Sequence, residues 1–514
     1  MTTFFEFCSW LLRLFREVKL LSLSFNIPFL SLFLALLSAI ASPLLRREGW
    51  ALNLVRAVQL AVAALSALLL AKLWQTGESF TYMMGHFPAP WGNELKAGLL
   101  EAMLALAFSL VMFLSLTGGA EDIRRDIRTD RQGSYCLLMQ LLYAALLAMV
   151  YTNDLFTAYV FIEIAAITAC VAVVAKESGK SVMAAIRYLV FSCLGSGLVL
   201  LGAAILYSIT GHLLMESLGQ AVSKLAEEGR YMVPLTASAL LMTLGLSIKS
   251  AQFPFHAWLP DAHASATTSA SAILSGLVLK GYIILLVKLI LRVFGGSLLA
   301  SLYMHDMLFL LGLAGMLFAS VAALRQEDVK RMVAYSSSAQ ISYIFLALGL
   351  GSRVGLAAAC FQVLAHAFTK PMIFVGAGAL IRAGNGGHYW SNLRGAARRD
   401  PLAGVAFTVG GLSLCGLPLL AGFSAKYSLA VAALTAEWET MPALFGLAAS
   451  SVLNAMYYIP AILAIWSQGK GEGRSLGDTR EHHLAIGCFL VCNVVLGVAV
   501  GPILNVIYRG LELM

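Results

Sequence analysis

Residues 241–288 read LMTLGLSIKSAQFPFHAWLPDAHASATTSASAILSGLVLKGYIILLVK, and this stretch decides the class of fold. It has the apolar character of membrane helix, yet Lys249, Asp261 and Lys280 lie inside it. A charged side chain at the middle of a bilayer costs about 2.5–3.5 kcal/mol on insertion scales. Such residues persist when they face one another or water, and they mark ion and proton pathways. The stretch therefore predicts functional ionisable groups at membrane depth.

The composition of the whole chain agrees with a membrane protein. The 514 residues are 60% hydrophobic and 12% charged, with a mean hydropathy of +0.82. Soluble domains carry about 25% charged residues. Apolar runs of about 20 residues, the length that crosses a bilayer core, recur from end to end. We predict an all-α polytopic membrane protein with about fourteen transmembrane helices, at 27–46, 57–75, 94–117, 135–152, 154–175, 183–209, 232–253, 266–293, 303–323, 331–349, 356–382, 402–431, 440–466 and 484–508.

Basic residues are distributed unevenly between the two sets of alternate loops. One set holds twenty Lys and Arg residues and the other holds five. Cytoplasmic loops carry the excess of positive charge, so we predict a multi-pass protein of the cytoplasmic membrane with both termini outside. The net charge of +8 then reflects topology, and no nucleic-acid partner is expected. Residues 1–20 mix charged and apolar side chains, which predicts a short interfacial helix and no signal peptide.

Two predicted spans are interrupted in a related way. In GLSIKSAQFPFHAWLP, Lys249 precedes Pro254, and in GGLSLCGLPLLAGFSAKYSLA, Pro418 precedes Lys426. Proline breaks a helix, and broken membrane helices line cavities where the freed carbonyls find partners. Paired interrupted spans in two halves are typical of inverted-repeat transporters. We predict N-terminal membrane helices at 1–130, five-helix repeats at 131–295 and 296–470, and a C-terminal helix at 471–514.

Three ionisable residues in the first half are predicted to carry protons. Glu163 lies in the middle of NDLFTAYVFIEIAAITACVAVV, too deep for its short side chain to reach the interface. An ion pair with a lysine on a facing helix is favoured over a neutral carboxyl group. Lys249 ends the first half of a broken span, and a nearby carboxylate would favour its charged form. Lys280 lies in mid-span one helix later, whereas Lys288 is close enough to the span end to snorkel.

The second half offers a matching set. His366 and Lys370 are four residues apart and so lie on one helix face, about 5–6 Å apart, which suits proton transfer. Lys426 is the counterpart of Lys249. Four residues are supporting candidates: His256, His263, Lys330 and Lys370. Lys330 has a strong alternative as a topology anchor at a span edge, and the two prolines interrupt any common helix face for Lys249, His256 and His263.

No catalytic, cofactor-binding or metal-binding site is predicted. The eight cysteines form no C-x-x-C pair, whereas iron–sulfur and structural zinc sites need clustered thiolates. Glu481, His482 and His483 follow each other in a polar connection at 466–483, and an exposed loop tip is favoured over a metal site there. The GLGSRVG segment lacks dinucleotide-binding spacing. We therefore expect no redox or hydrolytic site in this chain, although it would suit the ion-translocating subunit of a redox-driven translocase.

Several segments resemble one family of membrane subunits. KSAQFPFHAWLPDAHA, ILSGLVLKGY, EDVKRMVAYSS, HAFTKPMIF and GLPLLAGFSAKY are similar to hallmark segments of the antiporter-like subunits of Mrp-type Na+/H+ antiporters, membrane-bound hydrogenases and NADH–quinone oxidoreductases. YTNDLFTAYVFIEI most resembles the Mrp D-type subunit and its hydrogenase relatives. The resemblance implies fourteen helices with two inverted five-helix repeats. It also implies that the family's proton pathway is carried here by Glu163, Lys249, Lys280, His366 and Lys426, with Glu163 paired to Lys249.

Three functions are compared on this basis. The favoured one is a proton-translocating subunit of a multisubunit cation/proton antiporter, with other membrane subunits as partners, protons and Na+ as candidate transported ions, and no cofactor. The first alternative is a proton-pumping membrane subunit of an energy-converting hydrogenase or NADH–quinone oxidoreductase. A stand-alone secondary solute transporter is the alternative from a different class.

Overall fold

The computed structural model describes residues 24–45, 49–87, 92–384, 386–468 and 480–513. The predicted interfacial helix at residues 1–20 and most of the polar connection at 466–483 lie outside the described residues. Within them the chain is a succession of long helices joined by short loops, as the prediction of an all-α polytopic protein requires.

The long helices are numbered here in chain order. They are α1 (Ser24–Leu44), α2 (Trp50–Thr76), α3 (Leu99–Gly118), α4 (Gln132–Tyr151), α5 (Leu155–Val174), α6 (Gly179–Thr210), α7 (Met232–Lys249), α8 (Thr268–Phe294), α9 (Met304–Leu324), α10 (Val329–Gly349), α11 (Arg353–Ala383), α12 (Pro401–Cys415), α13 (Ala421–Ala433), α14 (Thr440–Trp466) and α15 (Arg480–Val498). Shorter helices cover Ala120–Asp126, Met215–Glu227, Leu259–Ser265, Gly296–Ser301, Trp390–Leu393, Ala396–Arg399 and Val500–Glu512.

Twelve of the described helices are long and apolar enough to cross a membrane. The two remaining predicted spans coincide with α10, whose 21 residues include a Ser336–Ser338 run, and with the broken pair α12 and α13 of 15 and 13 residues. The total of fourteen spans stays a prediction. The predicted span 484–508 is two helices, because the helix is interrupted at Ala499 between α15 and Val500–Glu512.

Two helices, α8 and α11, occupy the centre of the bundle. Their apolar windows are completely buried by other helices, whereas those of α2 and α6 are only 39% buried. The outer helices turn large apolar side chains outward, among them Val190, Leu201 and Phe445. Apolar side chains on the outer surface are expected in a membrane protein, because they contact the hydrocarbon of the bilayer. The central helices are therefore the ones that can keep charged groups away from lipid.

Both predicted interruptions are real breaks in the helices. Helix α7 ends at Lys249, and a 3-10 turn at Phe255–Trp258 leads into Leu259–Ser265. Helix α12 ends at Cys415, and the next residue, Gly416, has a φ of +100°, in the left-handed region that favours glycine. Each break falls in the fourth of five consecutive helical segments, counting from α4 and from α9. The inverted relation of the two halves, and the repeat boundaries, stay a prediction.

A β-hairpin closes one end of the bundle and was not predicted. Strand β1 (Phe80–Met83) pairs antiparallel with strand β2 (Glu94–Ala97), so the helix predicted at 94–117 begins only at Leu99. The Asn153 amide donates to the Glu94 carbonyl at 3.0 Å, and the Asn153 carbonyl accepts from Met215 at 2.8 Å. The hairpin thus ties the α4–α5 connection and the surface helix Met215–Glu227 together.

Candidate functional site

The end of α7 places Lys249 in a polar pocket inside the bundle. Its side chain is buried, with 2% of the residue exposed, and its ammonium donates to the Ser192 hydroxyl at 2.9 Å. The ring of Tyr282 lies 5.3 Å away and adds a cation–π contact. Glu163 interacts electrostatically with Lys249 but makes no ion pair within 4.0 Å among the described residues, and its Oε1 has no hydrogen-bond partner there. Direct Glu163–Lys249 pairing stays a prediction.

Lys280 lies at the core of the bundle on α8, directly after an irregular turn of that helix. The helix widens into a π-helical turn at Leu274–Val278, immediately before Lys280. Such turns often occur at functional sites. Lys280 is fully buried and donates to the carbonyl of Ser275, whose hydroxyl in turn bonds with Ser337 on α10 at 2.9 Å. The chain thus compensates a central lysine with its own backbone.

Two histidines lie between the lysines. His263 and His366 are buried, and the two ring nitrogens of each have no hydrogen-bond partner among the residues that the structure describes. Lys280 and Lys370 both act electrostatically on His366 and on His263. An unpartnered buried imidazole is costly unless water or a proton relay uses it. His263 also stacks on Phe374 at 4.6 Å between ring centroids, which fixes its position.

Lys370 has three hydrogen-bond acceptors. Its ammonium donates to the Ser336 hydroxyl at 2.5 Å and to the Val333 carbonyl at 2.9 Å, with the Tyr458 hydroxyl at 3.4 Å. Ser336 and Tyr458 bond with each other at 2.8 Å. These contacts connect α11 to α10 and α14, and they give a proton on Lys370 a hydroxyl route away from the centre.

Lys426 donates hydrogen bonds to the backbone at the break between α12 and α13. Its ammonium donates to the carbonyls of Leu414 and Cys415 at 2.7 and 3.2 Å, and to the Ser451 hydroxyl at 2.8 Å. The Tyr343 ring lies 5.4 Å away. The freed carbonyls at the end of α12 therefore find the partner that the prediction of a broken helix requires.

The remaining supporting residues differ in burial. Lys330 is buried and donates to the Ala266 carbonyl at 3.0 Å, so it is more than an anchor at the helix edge. His256 is half-buried, and the break before the Phe255–Trp258 turn separates it from the face of α7 that carries Lys249. Asp261 accepts from Arg187 at 2.5 Å and from Arg331 at 2.6 Å.

Two cavities open on the bundle. One, of about 830 Å³, lies among the basic loops and is lined by residues including Lys176, Asp261 and Arg331. The other, of about 570 Å³, lies between the surface helix Met215–Glu227 and the end of α8, and its lining includes Arg292.

A buried ion pair at the second cavity was missed. Arg292, in a second π-helical turn of α8, donates to Glu101 at 2.6 Å and to the Asn153 side chain at 3.2 Å. Lys288, for which snorkelling was predicted, is instead fully buried and donates to the carbonyls of Met149, Val150 and Thr152. Glu101 could have been identified as a candidate from the sequence, because it lies inside a predicted span, as Glu163 does.

A third cluster corrects the prediction of an exposed loop tip. His482 and His483 lie in the first turn of α15, and their Nε2 atoms meet the Asp400 carboxylate at 2.9 and 3.1 Å. His482 and Asp400 are buried, and His483 is partly so. Burial alone would raise the pKa of Asp400, but hydrogen bonds from His482 and from the Ala403 amide bring it down to about 2.

The long apolar helices, which enclose buried Lys and His residues, define a class of protein, the polytopic α-helical membrane proteins. Residues 152–452 match the family model described as NADH:quinone oxidoreductase/Mrp antiporter, transmembrane. The chain belongs to this family, which confirms the resemblance predicted from the sequence, and it is an antiporter-like, multi-pass membrane subunit.

Individual relatives come from both branches of the family. The N-type subunit of NADH-quinone oxidoreductase from Desulforudis audaxviator is 34% identical, over 86% of this chain and 87% of that protein. The D-type subunit of the Na+/H+ antiporter from Alkalihalophilus pseudofirmus is 26% identical, over 82% and 83%. The solved archaeal membrane-bound sulfane sulfur reductase contains a similar chain, with a TM-score of 0.85, 27% identity and coverage of 95% and 97%. The Mrp complex from a Dietzia species shares the fold, with a TM-score of 0.84, 21% identity and the same coverage.

Proposed function

We propose that the chain translocates protons as a subunit of a multisubunit cation/proton antiporter of the cytoplasmic membrane. The observation that carries this proposal is the burial of Lys249, Lys280, His366 and Lys370 among helices that shield them from lipid. Buried charges are expensive, and each of the lysines has carbonyl or hydroxyl partners that can stabilise a proton locally. Glu163 and Lys426 stand at the two ends of this file.

The proposed switch is the distance between Glu163 and Lys249. At an effective dielectric of 20, two unit charges attract by about 4 kcal/mol at 4 Å and by about 2 kcal/mol at 8 Å. A movement of α5 relative to α7 would therefore change how strongly Lys249 holds its proton. Ser192 gives the ammonium an alternative partner when the carboxylate is distant. Lys249 then passes charge toward Lys280.

The relay continues through the centre to the second break. Lys280 and Lys370 flank His366 electrostatically, so a proton on one disfavours protons on the others and pushes charge onward. Ser336 and Tyr458 continue the hydrogen-bonded route from Lys370. Lys426 is the proposed exit residue, and His256, His263 and Lys330 support the route.

Partners and topology are part of the proposal. The relatives are named as subunits of larger assemblies, which supports other membrane subunits as partners here. We propose that protons are transported, with Na+ as the counter-ion, and that both termini face outward. We also propose that 131–295 and 296–470 are inverted five-helix repeats, since each contains one broken segment.

A second candidate is a subunit of a redox-driven proton pump. It is favoured by the 34% identity to an NADH-quinone oxidoreductase subunit and by the likeness to a chain of a sulfane sulfur reductase. Redox energy from other chains would then drive the same file of residues. Identification of the subunits that copurify with the native complex separates the two candidates: redox subunits support the second, and only membrane antiporter subunits support the first.

The translocation itself is tested in the native complex reconstituted into vesicles. Lys249→Ala is expected to abolish proton transport, measured with a pH-sensitive dye, while the complex still assembles. Lys224→Ala is the matched control, because Lys224 is exposed on the surface helix Met215–Glu227. Wild-type transport by an assembled Lys249→Ala complex would refute the proposed route.

A further inference from the structure

The cluster of Asp400, His482 and His483 has no part in the proposed proton route. One ligand atom from each residue lies within 4.8 Å of the other two. The histidines come from the start of α15, and Asp400 precedes α12, so two separate helices converge here. The histidine rings are 4.3 Å apart between centroids. The two imidazoles thus meet the two oxygens of one carboxylate.

The donor set is the one that borderline divalent metals prefer. Imidazole nitrogen binds Zn2+ at about 2.0–2.1 Å and carboxylate oxygen at about 2.0–2.2 Å. Ligand atoms around one tetrahedral ion therefore stand about 3.3 Å apart. The Asp400 oxygens are already 2.9 and 3.1 Å from the two Nε2 atoms. Small side-chain movements would suffice to admit an ion at the centre.

The surroundings of the carboxylate also suit a metal ligand. The backbone amide of Ala403 donates to Asp400 at 3.1 Å and fixes the orientation of the carboxylate. Such outer contacts normally orient metal ligands. The two arginines that directly precede Asp400 are engaged elsewhere: Arg398 donates to the Trp466 carbonyl and Arg399 to the Ala383 carbonyl.

We propose that Asp400, His482 and His483 bind one Zn2+ ion, which joins the start of α15 to the start of α12. Three protein ligands leave a fourth position for water. Further along α15, the Asn493 side chain donates to Thr369 at 2.7 Å, next to Lys370. The zinc site thus holds the near end of a helix whose middle contacts the central α11. This inference is independent of the proposed proton route.

Zinc content and cobalt spectroscopy of the full-length purified protein test the site. The protein is stripped with chelator, incubated with Zn2+, freed of excess metal and analysed by mass spectrometry. We expect one Zn2+ per chain in the wild type. His482→Gln and His483→Gln remove an imidazole ligand but keep an N–H donor for Asp400, so a purely hydrogen-bonded contact would survive. His212→Gln, at an exposed histidine, is the matched control.

The expected result is loss of the bound zinc in both variants and its retention in the control. Co2+ should give the visible absorption of a nitrogen- and oxygen-ligated ion in the wild type and lose it in His482→Gln. Zinc should raise the unfolding temperature of the wild type and of the control only. Equal zinc content in the wild type and the two variants, or no bound zinc in a folded wild type, would overturn the proposal.

Discussion

Breaking the buried pair of Glu101 and Arg292 is expected to have a large and asymmetric effect on stability. The two side chains are 1% and 3% exposed, and their charged atoms are 2.6 Å apart. Removing one partner of such a pair leaves an uncompensated buried charge and costs about 3–5 kcal/mol. We therefore expect Glu101→Gln and Arg292→Gln each to destabilise the protein severely.

The asymmetry comes from a third charge. Lys288 is attracted by Glu101 and repelled by Arg292. Glu101→Gln leaves two buried cations facing each other, whereas Arg292→Gln leaves Glu101 with Lys288 nearby. Glu101→Gln should therefore lie at the upper end of the range, about 5 kcal/mol, and Arg292→Gln near the lower end, about 3 kcal/mol. The double variant should cost much less than the sum of the two.

A double-mutant cycle measures this coupling through denaturant unfolding in detergent, followed by circular dichroism. The control cycle uses Arg353 and Glu512, which are 3.8 Å apart but 80% and 61% exposed. Exposed pairs contribute roughly 0–1 kcal/mol. The reasoning fails if the buried cycle gives a coupling as small as the exposed one. It also fails if Arg292→Gln destabilises more than Glu101→Gln.

Three further predictions follow from single contacts. Ser192→Ala should slow proton uptake roughly 10- to 150-fold, because it removes a hydrogen bond from Lys249 and bonds to charged groups contribute about 1.5–3 kcal/mol. Ser192→Thr should preserve the rate, and an unchanged rate in the alanine variant would contradict the proposed switch. Gly416→Ala should lower the unfolding temperature, because a left-handed φ costs a non-glycine residue about 1–2 kcal/mol; an equally stable variant would show that the break can relax. Burial alone would raise the pKa of Asp122, but Arg382 and other donors lower it overall. The ionised carboxylate therefore stabilises the fold at pH values above the pKa of the unfolded state. This stabilisation is lost as the pH falls below about 4. Arg382→Gln should raise that pKa toward its unfolded value, so it should lower stability at neutral pH and make the loss on acidification smaller in thermal unfolding; an unchanged pH profile would refute the assignment.

The positions of the helices were largely predictable because lipid imposes a simple rule on length and apolarity. The span predicted at 154–175 is Leu155–Val174 in the structure. Pro254 and Pro418 predicted the two breaks, since proline cannot continue a helix ladder. The hairpin Phe80–Ala97 escaped prediction because its second strand runs directly into an apolar helix, which hides the boundary.

The candidate site residues could be predicted from their positions inside apolar spans, whereas their hydrogen-bond and ion-pair partners could not. Lys280 stands out in an apolar run, but the π-helical turn that gives it a carbonyl partner leaves no obvious mark in the sequence. Glu101 and Arg292 are 191 residues apart, so nothing local indicates their pairing. His482 was predicted at a loop tip because its partner, Asp400, belongs to another helix.

The contacts of Lys426 tie the shape of a helix to a single proton. An ammonium group has three N–H donors, and here they point to Leu414, Cys415 and Ser451. A neutral amine has only two, so release of the proton must remove one of these three hydrogen bonds; of the three oxygens, the Leu414 carbonyl also accepts from the Asn454 side chain at 3.1 Å. The protonation of Lys426 and the backbone conformation at the end of α12 therefore depend on each other. A screen for transport-dead variants at this position will also collect folding defects, and only an assembly assay run in parallel will tell the two apart.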